Sequence, residues 1–168
     1  MRSAGEPGRP FVVVMALTVI ADRVTKVIAE RMLDTHGVSV LGDIVQFRLV
    51  HNQGAAFGLE LGSWQRWIFF AIALIAIVWL YSAARQAPAS DRLRQFAVAF
   101  VAGGAAGNAI DRLLSARGVV DYIDVGAGSL RWPTFNVADI AVTCGAVALA
   151  LSLWREDARR TPAPASTG

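Results

Sequence analysis

Four long apolar segments do most to restrict what this chain can fold into. Each is about 20 residues, the length that a helix needs to cross the hydrocarbon core of a bilayer. Hydrophobic residues make up 55% of the 168 residues, and the mean hydropathy of +0.47 is high for a soluble domain. The sequence therefore predicts an all-α membrane protein with one polytopic domain over residues 1–160. The predicted spans are about residues 11–29, 64–83, 96–114 and 136–154.

The arginines predict how these spans are oriented, because short cytoplasmic loops carry an excess of positive charge. Arginines precede the first span, lie between the second and third, and follow the fourth. Both termini are therefore expected in the cytoplasm, with segments 30–63 and 115–135 facing outward. The net charge of +3 is explained by this topology, so no nucleic-acid partner is expected.

The first outward segment has the pattern of short strands. β-Branched residues alternate with other residues between Val38 and Val50, and glycines at 42 and 54 interrupt the pattern. This predicts a small β region over about residues 38–60 at the membrane surface. The tail at 161–168 is rich in Pro, Ser and Thr and is expected to be disordered.

Polar residues within the predicted spans are grouped at one membrane depth. The first and third spans run outward and the fourth runs inward, so their outer ends meet at the same side. Ionisable groups inside a membrane span are costly and indicate a functional site. The residues at this depth are Asp22, Lys26, Asn108, Asp111, Arg112, Asn136 and Asp139.

The residue types in this cluster favour acid–base chemistry by carboxyl groups. Both histidines, His36 and His51, lie in the outer segment, and no nucleophilic-serine or zinc-protease motif is present. No Cys/His cluster has metal-ligand spacing, so neither a metal nor an organic cofactor is expected. Two neighbouring carboxyl groups can share one proton, so that one activates water and the other acts as an acid.

Four aspartates are candidates for such a pair. Asp111 is expected to pair with the neighbouring Arg112 and to be structural, and Asp124 is expected to be exposed on an outer loop. Spacing alone leaves the choice between Asp121 and Asp124 as the partner of Asp139 nearly undecided. Two other functions are considered, a small transporter with an intramembrane charge relay and an assembly subunit. The nearly apolar inner halves of the spans argue against the transporter.

Five motif blocks, in a fixed order, carry a resemblance to a known family. They are DRVTK at 22–26, NQGAAFG at 52–58, GNAIDR at 107–112, VVDYID at 119–124 and FNVAD at 135–139. Over about residues 12–154 the chain resembles the bacterial lipoprotein signal peptidases (signal peptidase II), which are intramembrane aspartic peptidases. The resemblance implies four transmembrane helices, a small extracytoplasmic β-cradle and a short surface helix.

The resemblance also implies a reaction and a set of site residues. The substrate would be a prolipoprotein with a diacylglyceryl-modified cysteine, cleaved immediately before that cysteine by Asp121 and Asp139. We expect a monomer in the bacterial cytoplasmic (inner) membrane, surrounded by membrane lipids, with its active site near the outer leaflet. Tyr122 stands where the family often has Phe.

The substrate-binding or site-shaping positions would be Asn52, Gly54, Asn108, Arg112 and Asn136, and the structural positions Asp22, Lys26 and Asp111. From the sequence alone, residues 52–54 are equally well an ordinary hairpin turn.

Overall fold

The computed structural model describes residues 9–34, 36–54, 62–88 and 90–160. Within these ranges the chain forms four long helices and a small antiparallel sheet. The helices are α1 (Arg9–Met32), α2 (Gln65–Gln86), α3 (Arg92–Leu114) and α4 (Val137–Arg160). The strands are β1 (Val38–Leu41), β2 (Val45–Asn52), β3 (Val119–Ala127) and β4 (Leu130–Arg131).

Each predicted span corresponds to one of these helices, but two of the four helices have the length and composition of a membrane span. These two are Gln65–Gln86 and Val137–Ala158. Helices α1 and α3 do not qualify because charged and polar residues interrupt their apolar segments, including Asp22, Lys26 and Asp111. The prediction of a helical membrane protein thus has support, whereas four spans are not confirmed.

The strands form one sheet in the order β1-β2-β3-β4. The alternating pattern predicts β1 and β2 but not β3, because β3 is buried on both faces and so lacks alternation. The predicted β region beyond residue 54 and the predicted tail at 161–168 lie outside the described residues. Among the described residues, the one short helical element is a 3-10 turn at Gly62–Trp64, so the predicted surface helix is not confirmed.

The sheet places β3 beside the beginning of α4. In the β2–β3 pair, Val50 lies opposite Asp121 and Asn52 lies opposite Val119. A further bridge joins Ile123 of β3 to Phe135, just before α4. Two segments that are distant in the chain, the end of β2 and the first turn of α4, are therefore held against the same strand.

Helix α3 lies at the centre of the helices and contacts α1, α2 and α4. Small residues permit this close packing: a Cβ at Gly103 would lie 2.7 Å from the Thr18 Cβ atom, and one at Gly104 would overlap the Ala138 carbonyl oxygen. Large apolar side chains cover the outer surfaces instead, as at Leu17 of α1 and Ile75 of α2. Such a surface suits a lipid environment.

Candidate active site

Two asparagines hold the carboxyl group of Asp121. Asn52, the last residue of β2, donates a hydrogen bond from Nδ2 to Oδ2 of Asp121 over 3.0 Å. Asn136 donates from its Nδ2 to Oδ1 of Asp121 over 2.7 Å. Asp121 is only 1% exposed. Both of its oxygens are therefore satisfied by side-chain N–H groups within a site from which water is largely excluded.

The orientation of Asn52 is set by the turn that follows it. The backbone N–H of Gly54 donates to Oδ1 of Asn52 over 2.8 Å, which leaves Nδ2 facing Asp121. Gly54 has a φ of +98°, and a Cβ there would lie 2.6 Å from the Phe69 ring. Only glycine fits this position without strain. Residues 52–54 therefore form a turn and also orient a side chain of the site, so the two interpretations of this segment do not exclude each other.

Asp139 lies in the first turn of α4 and forms a reciprocal cap with Asn136. The backbone N–H of Asp139 donates to Oδ1 of Asn136 over 3.0 Å, and the backbone N–H of Asn136 donates to Oδ2 of Asp139 over 3.1 Å. This is the arrangement of a capping box, with the acid three residues after the cap. A negative charge at this end of a helix is favoured by the helix dipole.

Asn108 of α3 completes the surroundings of Asp139. Its Nδ2 donates to Oδ1 of Asp139 over 2.8 Å, and its Oδ1 accepts from Nδ2 of Asn136 over 3.1 Å. Asn136 is fully buried and contacts both acids. The structure thus brings Asp121 and Asp139 to the same asparagine, and their charges interact. Burial raises the pKa of Asp121 to about 6, with a smaller contribution in the same direction from Asp139.

Arg112 does not pair with Asp111, and that prediction is wrong. Consecutive residues on a helix point in different directions. Asp111 faces α1, where it forms ion pairs with Arg23 and with Lys26, whereas Arg112 donates to the Asn108 carbonyl oxygen over 3.1 Å. Arg112 also borders a cavity of about 220 Å³ together with Gln53, Gln65, Arg66 and Gly118.

Asp124 is not exposed, so that prediction is also wrong. It is fully buried on β3, where Arg131 Nε lies 2.7 Å from its Oδ1 and Arg48 Nε lies 2.7 Å from its Oδ2. Each oxygen of this carboxyl group is thus paired with a guanidinium group, whereas the oxygens of Asp121 accept from neutral amides. Asp124 therefore differs from Asp121 in environment, a distinction that spacing did not make.

The three residues predicted to be structural form a buried charge cluster behind the acids. Lys26 Nζ lies 2.8 Å from Oδ2 of Asp22 and 2.8 Å from Oδ2 of Asp111. Sequence reasoning missed Arg23, the fourth member, although it lies within the DRVTK block. Within the described ranges, no three His, Cys, Asp or Glu side chains are arranged to hold a metal ion.

The chain is similar to known proteins in both its sequence and its fold. A family model described as Signal peptidase (SPase) II matches residues 14–155. A lipoprotein signal peptidase of Alteromonas mediterranea is 35% identical over 159 residues, covering 93% of this chain and 86% of the relative. One of Burkholderia mallei is 35% identical over 151 residues, covering 88% and 89%. A bacterial membrane enzyme solved by the in meso method matches with a TM-score of 0.79 at 28% identity, covering 94% of each chain.

Proposed function

This chain belongs to the signal peptidase II family, and from that premise we propose that it is an aspartic endopeptidase of diacylglyceryl-modified prolipoproteins. Membership of the family makes it a membrane peptidase that removes signal peptides from lipoproteins. We further propose that Asp121 and Asp139 are its catalytic pair and that cleavage occurs immediately before the lipid-modified cysteine. The observation that carries this proposal is the hydrogen bonding of both acids to Asn136.

The two acids have different environments, which suits them to different roles. Asp121 is buried and holds the shared proton, whereas Asp139 holds the negative charge at the N-terminus of α4. Asp139 removes a proton from water, whose oxygen attacks the scissile carbonyl carbon, while Asp121 protonates the carbonyl oxygen. The C–N bond of the resulting diol then breaks. The leaving amine takes the proton from Asp139, and Asp121 takes a proton back from one hydroxyl group of the diol.

This assignment sets the direction of the pH dependence. The active free enzyme carries the proton on Asp121, and burial raises the pKa of that group to about 6. Deprotonation removes the acid, so kcat/KM is expected to fall as the pH rises through this pKa. Below it, Asp121 stays protonated and does not limit the rate.

The position of the site fits a substrate anchored in the membrane. We propose that a monomer crosses the bilayer four times, with both termini in the cytoplasm and the catalytic pair near the outer leaflet. The acyl chains of the substrate stay in lipid, and the peptide reaches the acids beside the cavity bordered by Gln53 and Arg112. Asn52, Gly54, Asn108, Arg112 and Asn136 shape the site or bind the substrate.

Replacement of each acid tests the catalytic pair. Asp121→Asn and Asp139→Asn are each expected to abolish cleavage. The amide that replaces the carboxyl group can neither donate nor accept the proton that the mechanism transfers. The measurement is a gel-shift assay on a diacylated prolipoprotein, with thermal unfolding in detergent to establish that each variant is folded. Asp124→Asn is the matched control, which should lower stability because it weakens a buried ion-pair group but leave the folded enzyme active.

Cleavage at a near wild-type rate by Asp121→Asn or Asp139→Asn would refute the assignment. That result would instead support an assembly role, in which isosteric replacement of these acids is tolerated. Loss of activity in Asp124→Asn without loss of stability would show that the wrong β3 acid has been assigned.

A further inference from the structure

The ammonium group of Lys26 has contacts that reach beyond the cluster in which it is buried. Its Nζ atom lies 2.8 Å from Oδ2 of Asp22, 2.8 Å from Oδ2 of Asp111 and 2.9 Å from Oδ1 of Asn108. Three acceptors match the three N–H donors of an ammonium group. The Lys26 side chain is 0% exposed, so these acceptors replace all of its hydration.

Both carboxylates that bind Lys26 also accept a backbone hydrogen bond next to a proposed catalytic acid. Asp22 accepts from the N–H of Ala138 over 3.0 Å, one residue before Asp139. Asp111 accepts from the N–H of Val120 over 3.2 Å, one residue before Asp121. One ammonium group therefore joins the two backbone segments that carry the acids.

The third acceptor of Lys26 determines how Asn108 is oriented. Oδ1 of Asn108 accepts from both Lys26 and Asn136, which leaves its Nδ2 to donate to Asp139. In the flipped orientation the amide NH₂ would face two other donors, and its oxygen would face the Asp139 carboxylate. Lys26 thus favours the one orientation in which Asn108 binds Asp139.

From these contacts we propose that Lys26 is a positioning residue, which sets the separation of Asp121 and Asp139 and the hydrogen bond from Asn108 to Asp139. This inference rests on the proposed function, because it requires the two acids to be the catalytic pair. A displacement of about 1 Å in a reacting group can lower the rate by about 100-fold. A residue with this role should therefore affect kcat more than it affects substrate binding.

The test must separate positioning from stability, and the charges of the cluster allow this. Asp22, Arg23, Lys26 and Asp111 are formally neutral together, so Lys26→Met alone leaves a net buried negative charge. The double variant Asp22→Asn/Lys26→Met restores neutrality without restoring the ammonium group. Thermal unfolding in detergent, kcat and KM on a diacylated prolipoprotein, and the pH profile of kcat/KM are measured for each.

Lys26→Met is expected to be strongly destabilised, and the double variant to regain much of its thermal stability. The kcat of the double variant should nevertheless stay about 100-fold below wild type, with little change in KM. Its pH profile should also move. The positive charge of Lys26 lowers the pKa of Asp121, so without it the fall of kcat/KM should occur at a higher pH.

Arg131→Met provides a matched control. It also removes a cation from a buried carboxylate, Asp124, but neither residue contacts Asp121 or Asp139 among the described hydrogen bonds. Its thermal stability should fall, whereas the kcat of the folded enzyme and the pH profile should stay at wild-type values.

Wild-type kcat and pH profile in the stable double variant would overturn the inference and leave Lys26 with a purely structural role. If the double variant does not fold, Lys26→Gln, which keeps an N–H donor without the charge, is judged by the same readouts. Absence of folding in all three variants would likewise assign Lys26 to stability alone. Asp121→Asn is assayed in parallel, since cleavage by that variant refutes the catalytic pair itself, irrespective of the Lys26 result.

Discussion

Asn136 combines structural and site contacts in one side chain. Its Oδ1 caps α4 by accepting from the backbone N–H of Asp139, while its Nδ2 donates to Asp121. Because the same amide serves both groups, its orientation is determined by the helix that it caps. The position of Asp121 relative to Asp139 thus depends on a local feature of helix initiation.

Substitution of Asn136 can separate these contacts. Serine is a good helix cap but lacks the Nδ2 donor, whereas alanine lacks both. Asn136→Ser is expected to lose at least tenfold in kcat, because the buried carboxyl group of Asp121 loses one of its two side-chain hydrogen bonds. Asn136→Ala should lose similar activity and be less stable than the serine variant by about 1 kcal/mol. Cleavage kinetics and thermal unfolding provide the two readouts, and wild-type kcat in Asn136→Ser would contradict the role of the Nδ2 donor.

The contact between helices α3 and α4 fixes the position of Asp139. Two glycines permit it, one from each helix: a Cβ at Gly104 would overlap the Ala138 carbonyl oxygen, and one at Gly145 would lie 2.7 Å from the Ala97 carbonyl oxygen. The backbones of α3 and α4 are therefore in close contact at two positions along the helices. The first turn of α4, with Asp139, cannot shift without separation of the two helices.

Gly104→Ala tests this close approach. The added methyl group must displace the first turn of α4, and we expect a loss of stability of about 1–3 kcal/mol. Activity should fall as well, because Asp139 moves with that turn. Ala146→Val, on the exposed side of α4, adds more volume and should change neither property. Thermal unfolding and cleavage assays on both variants check this, and unchanged activity in Gly104→Ala would show that the site tolerates movement of α4.

At the scale of the whole molecule, the four helices and the sheet arrange the polar site at one end of an apolar bundle. Large apolar side chains are exposed on the helices, including Leu17, Ile75 and Val147. The buried charges lie instead where the C-terminal halves of α1 and α3 meet β3 and the beginning of α4. This separation fits a bundle embedded in a membrane with the sheet at one of its two surfaces, and the proposed orientation puts that surface outside.

Cysteine labelling tests that orientation. In a Cys144→Ser background, which removes the chain's single cysteine, Leu130→Cys places a thiol at the 82% exposed position on β4. A membrane-impermeant maleimide should label it in intact spheroplasts. Ser90→Cys, in the turn between α2 and α3, should be labelled only after permeabilisation. The reverse pattern would contradict cytoplasmic termini.

Sequence reasoning succeeded where the relevant signal is local. Apolar runs located the four helices, and alternation located β1 and β2. It missed β3, since a strand buried on both faces has no alternating pattern. It misplaced Asp124 because segment 115–135 was interpreted as an exposed loop, whereas in the structure Asp124 lies on a buried strand and pairs with Arg48 and Arg131.

The sequence by itself determined the helical membrane class, the family, and the set of polar residues that meet at one depth, since these follow from composition and from motifs within short segments. Only the tertiary structure decided which side chains pair. Asp121 receives its hydrogen bonds from residues 69 positions before and 15 positions after it, and Asp111 pairs with Lys26 of α1 rather than with its neighbour. Hydrogen bonds and ion pairs act over a few ångströms, so they depend on how separate elements pack and not on separation along the chain.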